Sequence, residues 1–260
     1  MSMFVSDAVW QRLEPVLKIK RKSQYGRPRA SERDCFEAVL FVLHTGIQWK
    51  HLPRTFPPKS TVHDYLKSWS ADSAFRKLLS KVVKMLVEQD RIDLEECFID
   101  ATFAPAKAGG QGVGLTRKGK GSKMQIIVDA QGIPLGLSVG SAQQGENKMV
   151  QTTLELFDEG SSPEHLIGDK AYDDDALDET LAELGIDMIA PHRSNRRPEN
   201  QTQDGRSLRR YKRRWKVERT IAWLGNHRRL LVRHEKHLSL FTGFTLLGCL
   251  MIALRHLRLS

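Results

Sequence analysis

Only three cysteines occur in the 260 residues: Cys35, Cys97 and Cys249. They are far apart and odd in number, which excludes a disulfide framework and a paired CxxC zinc half-site and matches a reducing compartment. Met1 to Asp7 lacks the basic-then-apolar pattern of an export signal. Long apolar runs are also missing. The single candidate, Leu238 to Leu254, has 17 residues and contains Ser239, Thr242, Gly243, Thr245 and Gly248. It falls short of the roughly 20 strongly apolar residues that span a bilayer, so a buried helix is expected, and a cytoplasmic protein with no membrane partner. No internal repeat is visible. Acidic residues are absent from 107–123, and Leu208 to Val232 contains one, Glu218.

What is present is an ordinary globular composition, 40% hydrophobic, which rules out disordered and fibrous classes. Lys and Arg number 41 against 31 Asp and Glu, a net charge of +10. Such a surplus favours a polyanionic partner, nucleic acid before anionic lipid. The charge is unevenly spread: residues 155–187 hold twelve acids and one lysine. The basic residues concentrate in a connector from Lys18 to Arg33, in a glycine-rich stretch at 107–123 read as a mobile loop, and before Glu218.

The first ninety residues read as helices. Ser6 precedes Val9, Trp10, Leu13 and Leu17 at helical spacing, and Ser31 with Asp34 resembles a capping box opening Phe36, Val39, Leu40 and Leu43. After Pro57-Pro58, Ser60 or Thr61 starts a helix through Trp69, and another runs from Asp72 to Gln89. Compact helices around a short turn are compatible with a helix-turn-helix module. From Cys97 the period changes to that of a strand, with Ile99, Ala101 and Phe103 on one side and Phe98, Asp100 and Thr102 on the other. Met124 to Asp129 and Ile133 to Val139 form a hairpin. Then come a helix at Asn147 to Phe157, a strand at His165 to Gly168, a helix at Asp175 to Leu184, a strand at Ile186 to Ala190 and a long helix from about Leu208. This order predicts an α/β sheet of mixed strand direction. It divides the chain into residues 1–92 and 93–260.

Three acids stand out. Asp100 interrupts an apolar strand, where a charge is costly unless compensated. Asp169 follows a strand end, and Glu218 stands alone among bases. If they converge, like charges about 4 Å apart repel by roughly 4 kcal/mol at an effective dielectric near 20, and cations relieve that repulsion. Oxygen ligands without a Cys or His cluster suit Mg²⁺ or Mn²⁺ and a two-ion arrangement for phosphodiester chemistry. Spacing alone also accommodates an edge residue, a turn residue and a salt-bridge partner. Asp173-Asp174-Asp175 reads as a helix-dipole complement, and His234 and His237 as surface residues.

The runs Phe98-Ile99-Asp100-Ala101-Thr102, Ile167-Gly168-Asp169-Lys170-Ala171-Tyr172-Asp173 and Tyr211 to Thr220 resemble the three blocks of bacterial insertion-sequence transposases of the DDE type, in particular the fifth insertion-sequence family. Thr45 to Pro53 and Phe56 to Val62 resemble the helical N-terminal domain of those enzymes. The resemblance implies an RNase H-like mixed five-stranded sheet with flanking helices, preceded by an all-α helix-turn-helix-like domain that binds element ends. It implies metal-dependent cleavage at the ends of an insertion sequence and strand transfer into target DNA, by a homodimer or larger assembly on DNA. Asp100, Asp169 and Glu218 would hold two Mg²⁺ ions, with Mn²⁺ as a substitute.

Tyr211 and Arg214 match the pattern Y-x2-R-x3-E-x6-K, but the final basic position is Gly225, with Arg228 and Arg229 the nearest replacements. Candidate DNA contacts are Tyr211, Arg214, Lys170, Arg213 and Arg210 near the carboxylates. At the N-terminal end they are Lys59, Lys67, Arg27 and Arg29, with Thr61 and His63 beside them. The competing readings are an RNase H-like nuclease for RNA–DNA hybrids or branched DNA, and a non-catalytic DNA-binding protein or inactivated relic. Terminal inverted repeats flanking the coding region would separate transposase from nuclease.

Overall fold

The protein is described from a computed structural model covering residues 4–19, 28–155, 157, 162–201, 205 and 207–257. Among the described residues the N-terminal region holds four α-helices: α1 (Asp7–Leu17), α2 (Glu32–Thr45), α3 (Lys59–Ala71) and α4 (Ala74–Glu88). Their ends follow from local chemistry. Ser6 Oγ accepts the Val9 N–H, and Ser31 Oγ accepts that of Asp34, each satisfying an orphan donor of the first turn. Gly46 ends α2 in the left-handed region at φ 68°, and a Cβ there would stand 2.9 Å from the Arg228 side chain, so glycine is required on two counts. The apolar faces meet around linked rings, Trp10–Phe36 at 5.9 Å, Phe36–Trp69 at 6.1 Å and Trp69–Phe75 at 6.0 Å. The Trp69 indole N–H donates to Leu17 O over 2.8 Å, so burying this large side chain strands no donor.

The sheet is built on β1 (Glu96–Pro105). β3 (Gly119–Val128) pairs antiparallel with one edge of β1, and β5 (His165–Ile167) pairs parallel with the other, followed by parallel β6 (Asp187–Ile189). β4 (Pro134–Ser141) lies antiparallel on the far edge of β3, and three-residue β2 (Gly114–Thr116) continues that flank. Among the described residues six strands thus fill five positions. Helix α5 (Val150–Leu154) follows β4, and α6 (Asp175–Glu183) connects β5 to β6. Then come α7 (Trp215–Gly225), α8 (Arg228–Leu231) and α9 (Leu238–Leu254).

The alternation along β1 sends Phe98 into one core with α7 and α9, and Cys97 and Ile99 into another with α5 and α6. The sheet is therefore covered on both faces. α9 is apolar all round because it is enclosed all round, by α2, α3, α4, α7, α8 and β4. Among the described residues no helix is long and apolar enough to cross a membrane. The change from helix to strand near residue 92 does not divide the packing, since a single core runs from Val5 through α9.

Three expectations change. The stretch at 107–123 is a docked hairpin rather than a mobile loop. Buried Arg233 donates to the carbonyls of Gln111, Gly112 and Glu235 and to Ser122 Oγ, which satisfies the guanidinium and fixes the glycine-rich turn together. The helix expected at 147–157 is a 3₁₀ turn, Asn147–Met149, leading into the short α5. The long helix expected from Leu208 begins only at Trp215, after a 3₁₀ segment, Ser207–Arg213. Glu96 explains that segment. A 3₁₀ helix eclipses residues i and i+3, so Arg210 and Arg213 both reach the Glu96 carboxylate, the former over 2.8 Å.

Candidate active site

Parallel pairing sets the site. Phe98 of β1 faces Ile167 of β5, so Asp169, two residues past the carboxyl end of β5 where open α/β sheets expose functional groups, comes beside Asp100 in the middle of β1. Asp100 shares the Phe98 side of β1, the face covered by α7. That helix is held by Val217 and Leu224 in the core and by Thr220 Oγ1, which donates to Gly132 O over 2.6 Å. Lys216 lies 5.3 Å over the Phe98 ring.

Arg214, just before α7, links the carboxylates. Its Nη2 donates to Glu218 Oε1 over 2.6 Å and its Nη1 stands 2.9 Å from Asp100 Oδ2. The second contact is an ion pair without aligned hydrogen-bond geometry, since Nη1 is among the buried atoms lacking a hydrogen-bond partner. The Tyr211 ring backs the guanidinium at 5.7 Å. Asp100 is mostly buried, and desolvation raises its pKa above the ordinary value. Arg214 and the Ala101 N–H pull it down, while Asp169 pushes it up again. Asp169 itself caps a 3₁₀ turn, Lys170–Tyr172, accepting the Ala171 N–H over 2.8 Å.

Asp100 and Asp169 are thus neighbours, and Glu218 joins them through Arg214. Glu218 is 53% exposed. Among the described residues no three His, Cys, Asp or Glu side chains are gathered closely enough to hold a metal ion. The donors at this edge are carboxylate oxygens, which suit a hard divalent cation. Such an ion and the Arg214 guanidinium would draw on the same oxygens.

The other expected contacts fall into two groups. Lys170 is exposed beside Asp169, and Lys59 and Lys67 are exposed on α3. Arg29 is exposed at a groove against Thr61, Asp64 and Tyr65 of α3. Arg27 lies outside the described residues. By contrast, Arg210 and Arg213 are engaged by Glu96, and His63 packs edge-on against Trp49 at 5.2 Å. Arg229 is buried on Glu235 at 2.6 Å, whereas Arg228 is exposed. Gly225 borders open space, with only a Leu231 methyl within 4 Å of where a Cβ would sit.

Asp174 caps α6 through the Leu177 N–H, and Asp173 accepts from the Arg193 N–H and from Arg196. The acidic run is therefore a fold element, as its position at a helix start suggests. His234 and His237 are exposed. Glu96 and Arg193 carry positional roles that the sequence did not signal, because both depend on strand register and loop docking.

The chain matches two family profiles, "Transposase DDE domain" over residues 93–254 and a family of proposed IS4/5-type transposases over residues 5–79. In Burkholderia cepacia it is 31% identical over 117 residues to the insertion element IS402 uncharacterized 16.2 kDa protein, spanning 43% of this chain and 80% of that one. It is 32% identical over 149 residues to the proposed transposase of element IS402, spanning 53% and 65%. The synaptic complex of piggyBac transposase with hairpin DNA shares the fold, at TM-score 0.52 and 12% identity, over 95% of this chain and 71% of that one. The chain therefore belongs to the transposase DDE-domain family, and its work is DNA transposition.

Proposed function

We propose that Asp100, Asp169 and Glu218 form the catalytic, metal-binding triad of a Mg²⁺-dependent strand-cleaving and strand-joining enzyme. The observation that carries this reading is that Asp169, just past the end of β5, is an electrostatic neighbour of Asp100 on adjacent β1 while one guanidinium spans Asp100 and Glu218. Two Mg²⁺ ions, or Mn²⁺, when held by these carboxylates would activate the attacking oxygen and stabilise the leaving one.

The chain's own residues do the rest. Arg214, fixed against Tyr211, is placed to neutralise a phosphate crossing the carboxyl edge of the sheet, and Tyr211 presents its ring to a nucleotide beside it. Lys170 offers a second phosphate contact next to Asp169. Residues 1–92 act as the end-binding region, with Lys59, Lys67 and Arg29 directed at DNA, and residues 93–260 as the catalytic region. Two ends are processed together by a dimer or larger assembly on DNA.

Asp100→Asn tests the triad, since it keeps shape and removes charge. It should abolish Mg²⁺-dependent cleavage of the ends that bracket this coding sequence while end binding persists. Retained cleavage would overturn the assignment. Binding should also weaken with salt along a log–log slope of about −0.9 per phosphate contact.

A further inference from the structure

On the face of the sheet opposite α7, a cleft of about 520 Å³ opens directly beside Asp169. Lys123 fixes the face, because it alternates with Met124 on β3 and shares the side of Ile127 in the α5–α6 core. The walls come from β3, from the loop after β4 that ends in Asn147, from the turn at Asp169–Ala171, and from Arg193–Asn195 after β6.

The cations in these walls differ in how they are partnered. Lys123 is neutralised by Glu146 at 3.1 Å. Arg193 makes no ion pair among the described residues. Its Nε donates to Lys170 O over 3.0 Å and its Nη2 to Ala171 O over 3.1 Å, so two carbonyls hold the guanidinium in place without cancelling its charge. Lys170 makes no ion pair among the described residues and is exposed. Two cations without an ion pair among the described residues, one of them oriented by the same turn that presents Asp169, therefore line a cleft large enough for one nucleotide. Asn147 and Asn195 supply neutral polar groups in the same walls.

A strand cut at the carboxyl edge must continue on both sides of the scissile phosphate. On the α7 side lie Arg214 and Tyr211, and beyond them, joined through α9, the N-terminal helices. An element end held by those helices enters from that side. We infer that the cleft receives the remaining side: the nucleotide whose 5′ oxygen bears the scissile phosphate, with its own 3′ phosphate between Lys170 and Arg193. This rests on the triad reading above.

The same nucleotide position serves both reactions. In cleavage, a water oxygen bonds to phosphorus, the bond from phosphorus to the element's 3′ oxygen breaks, and that oxygen takes a proton. The flanking strand keeps the 5′ phosphate. In joining, the element's 3′ oxygen loses its proton and bonds to a target phosphorus, while the target's own P–O3′ bond breaks and the freed oxygen is protonated. In each step the unit left bonded to phosphorus through its 5′ oxygen is flank first and target second.

The test uses the full chain and end duplexes carrying either a long flank or a flank trimmed to a single nucleotide, which lacks the inferred phosphate. Lys170→Ala touches no internal bond, and Arg193→Gln removes the fixed charge. Together they should raise KM for the long-flank substrate about 10-fold and lower the salt slope by about one per cation removed. The trimmed substrate should lose less, so that the variants narrow the KM advantage of the long flank over the trimmed one. Arg193→Lys, which restores charge without the fork, should recover part of the loss.

Joining of pre-cleaved ends to target should suffer comparably in Lys170→Ala. Equal losses on both flank lengths, no loss on either, or unaffected joining would each overturn the inference. Cleavage by Asp169→Asn would instead overturn the parent reading. An inactive Asp169→Asn beside a flank-insensitive Lys170→Ala would overturn the cleft alone.

Discussion

Replacing Arg214 by Met keeps the aliphatic stem but removes the charge that Asp100 and Glu218 share. At 2.9 Å and an effective dielectric near 20, the gross attraction to Asp100 is about 6 kcal/mol. Desolvation of both groups offsets much of it. Breaking a mostly buried pair from one side costs about 3–5 kcal/mol, because the surviving charge is stranded. Asp100 and Arg214 are 16% and 17% exposed, but Glu218 is 53% exposed, so only the Asp100 contact counts fully and the lower figure applies. A loss of about 3 kcal/mol lowers the melting temperature of a chain this size by roughly 6–12 °C.

The pH dependence identifies the cause. Removing Arg214 removes an influence that lowers the Asp100 pKa, so the folded value, already raised, rises further. A raised folded pKa leaves stability intact below the unfolded value and subtracts it as pH climbs through the folded one. The deficit of Arg214→Met should therefore be small near pH 4 and grow through pH 8, as read by thermal melts across that range. Pairing it with Asp100→Asn should remove most of the deficit. Added Mg²⁺ should raise the variant's melting temperature more than the wild type's, since no guanidinium then competes for the oxygens. A deficit that stays constant from pH 5 to pH 8, or one that Asp100→Asn does not relieve, would refute the linkage.

Glu96→Gln should free Arg210 and Arg213, steepening the salt dependence of non-specific DNA binding while costing about 1–2 kcal/mol in a denaturation curve. Burial raises Asp129 to about 6 and lowers His227 to about 4. Asp129 therefore subtracts about 3 kcal/mol as pH rises through 6, and His227 about the same as pH falls below 6.5. Melting temperatures of Asp129→Asn and His227→Phe, each measured against wild type from pH 4 to pH 8, should diverge in opposite directions. Parallel profiles would contradict the two burial effects. Thr220→Val should detach α7 from the Gly132 carbonyl, and a loss of cleavage larger than the loss of end binding would register the shift of Glu218.

Most of the fold was legible because local signals matched local structure. Ser6, Ser31, the hairpin around Asp129 to Gly132 and the strand at Cys97 to Phe103 all stand where periodicity and capping put them. The adjacency of Asp100 and Asp169 was implicit in strand order. The failures came from long-range partners. Glycines at 107–123 suggested freedom, yet Arg233, more than a hundred residues away in sequence, ties the segment down. The Glu96 partner of Arg210 and Arg213 was equally hidden, because only strand register brings it to them. No window of neighbouring residues contains either contact. The charge of a basic stretch is readable from sequence, but its counterions are not.

The enclosed position of α9 bears on how the chain comes to be folded. The ribosome releases this helix after every element that packs on it. α3 and α4, made long before, wait with an uncovered apolar flank until Leu238 to Leu254 emerges. A product broken off before that point lacks the wedge on which the N-terminal helices and β4 both pack, and leaves their apolar faces to aggregate.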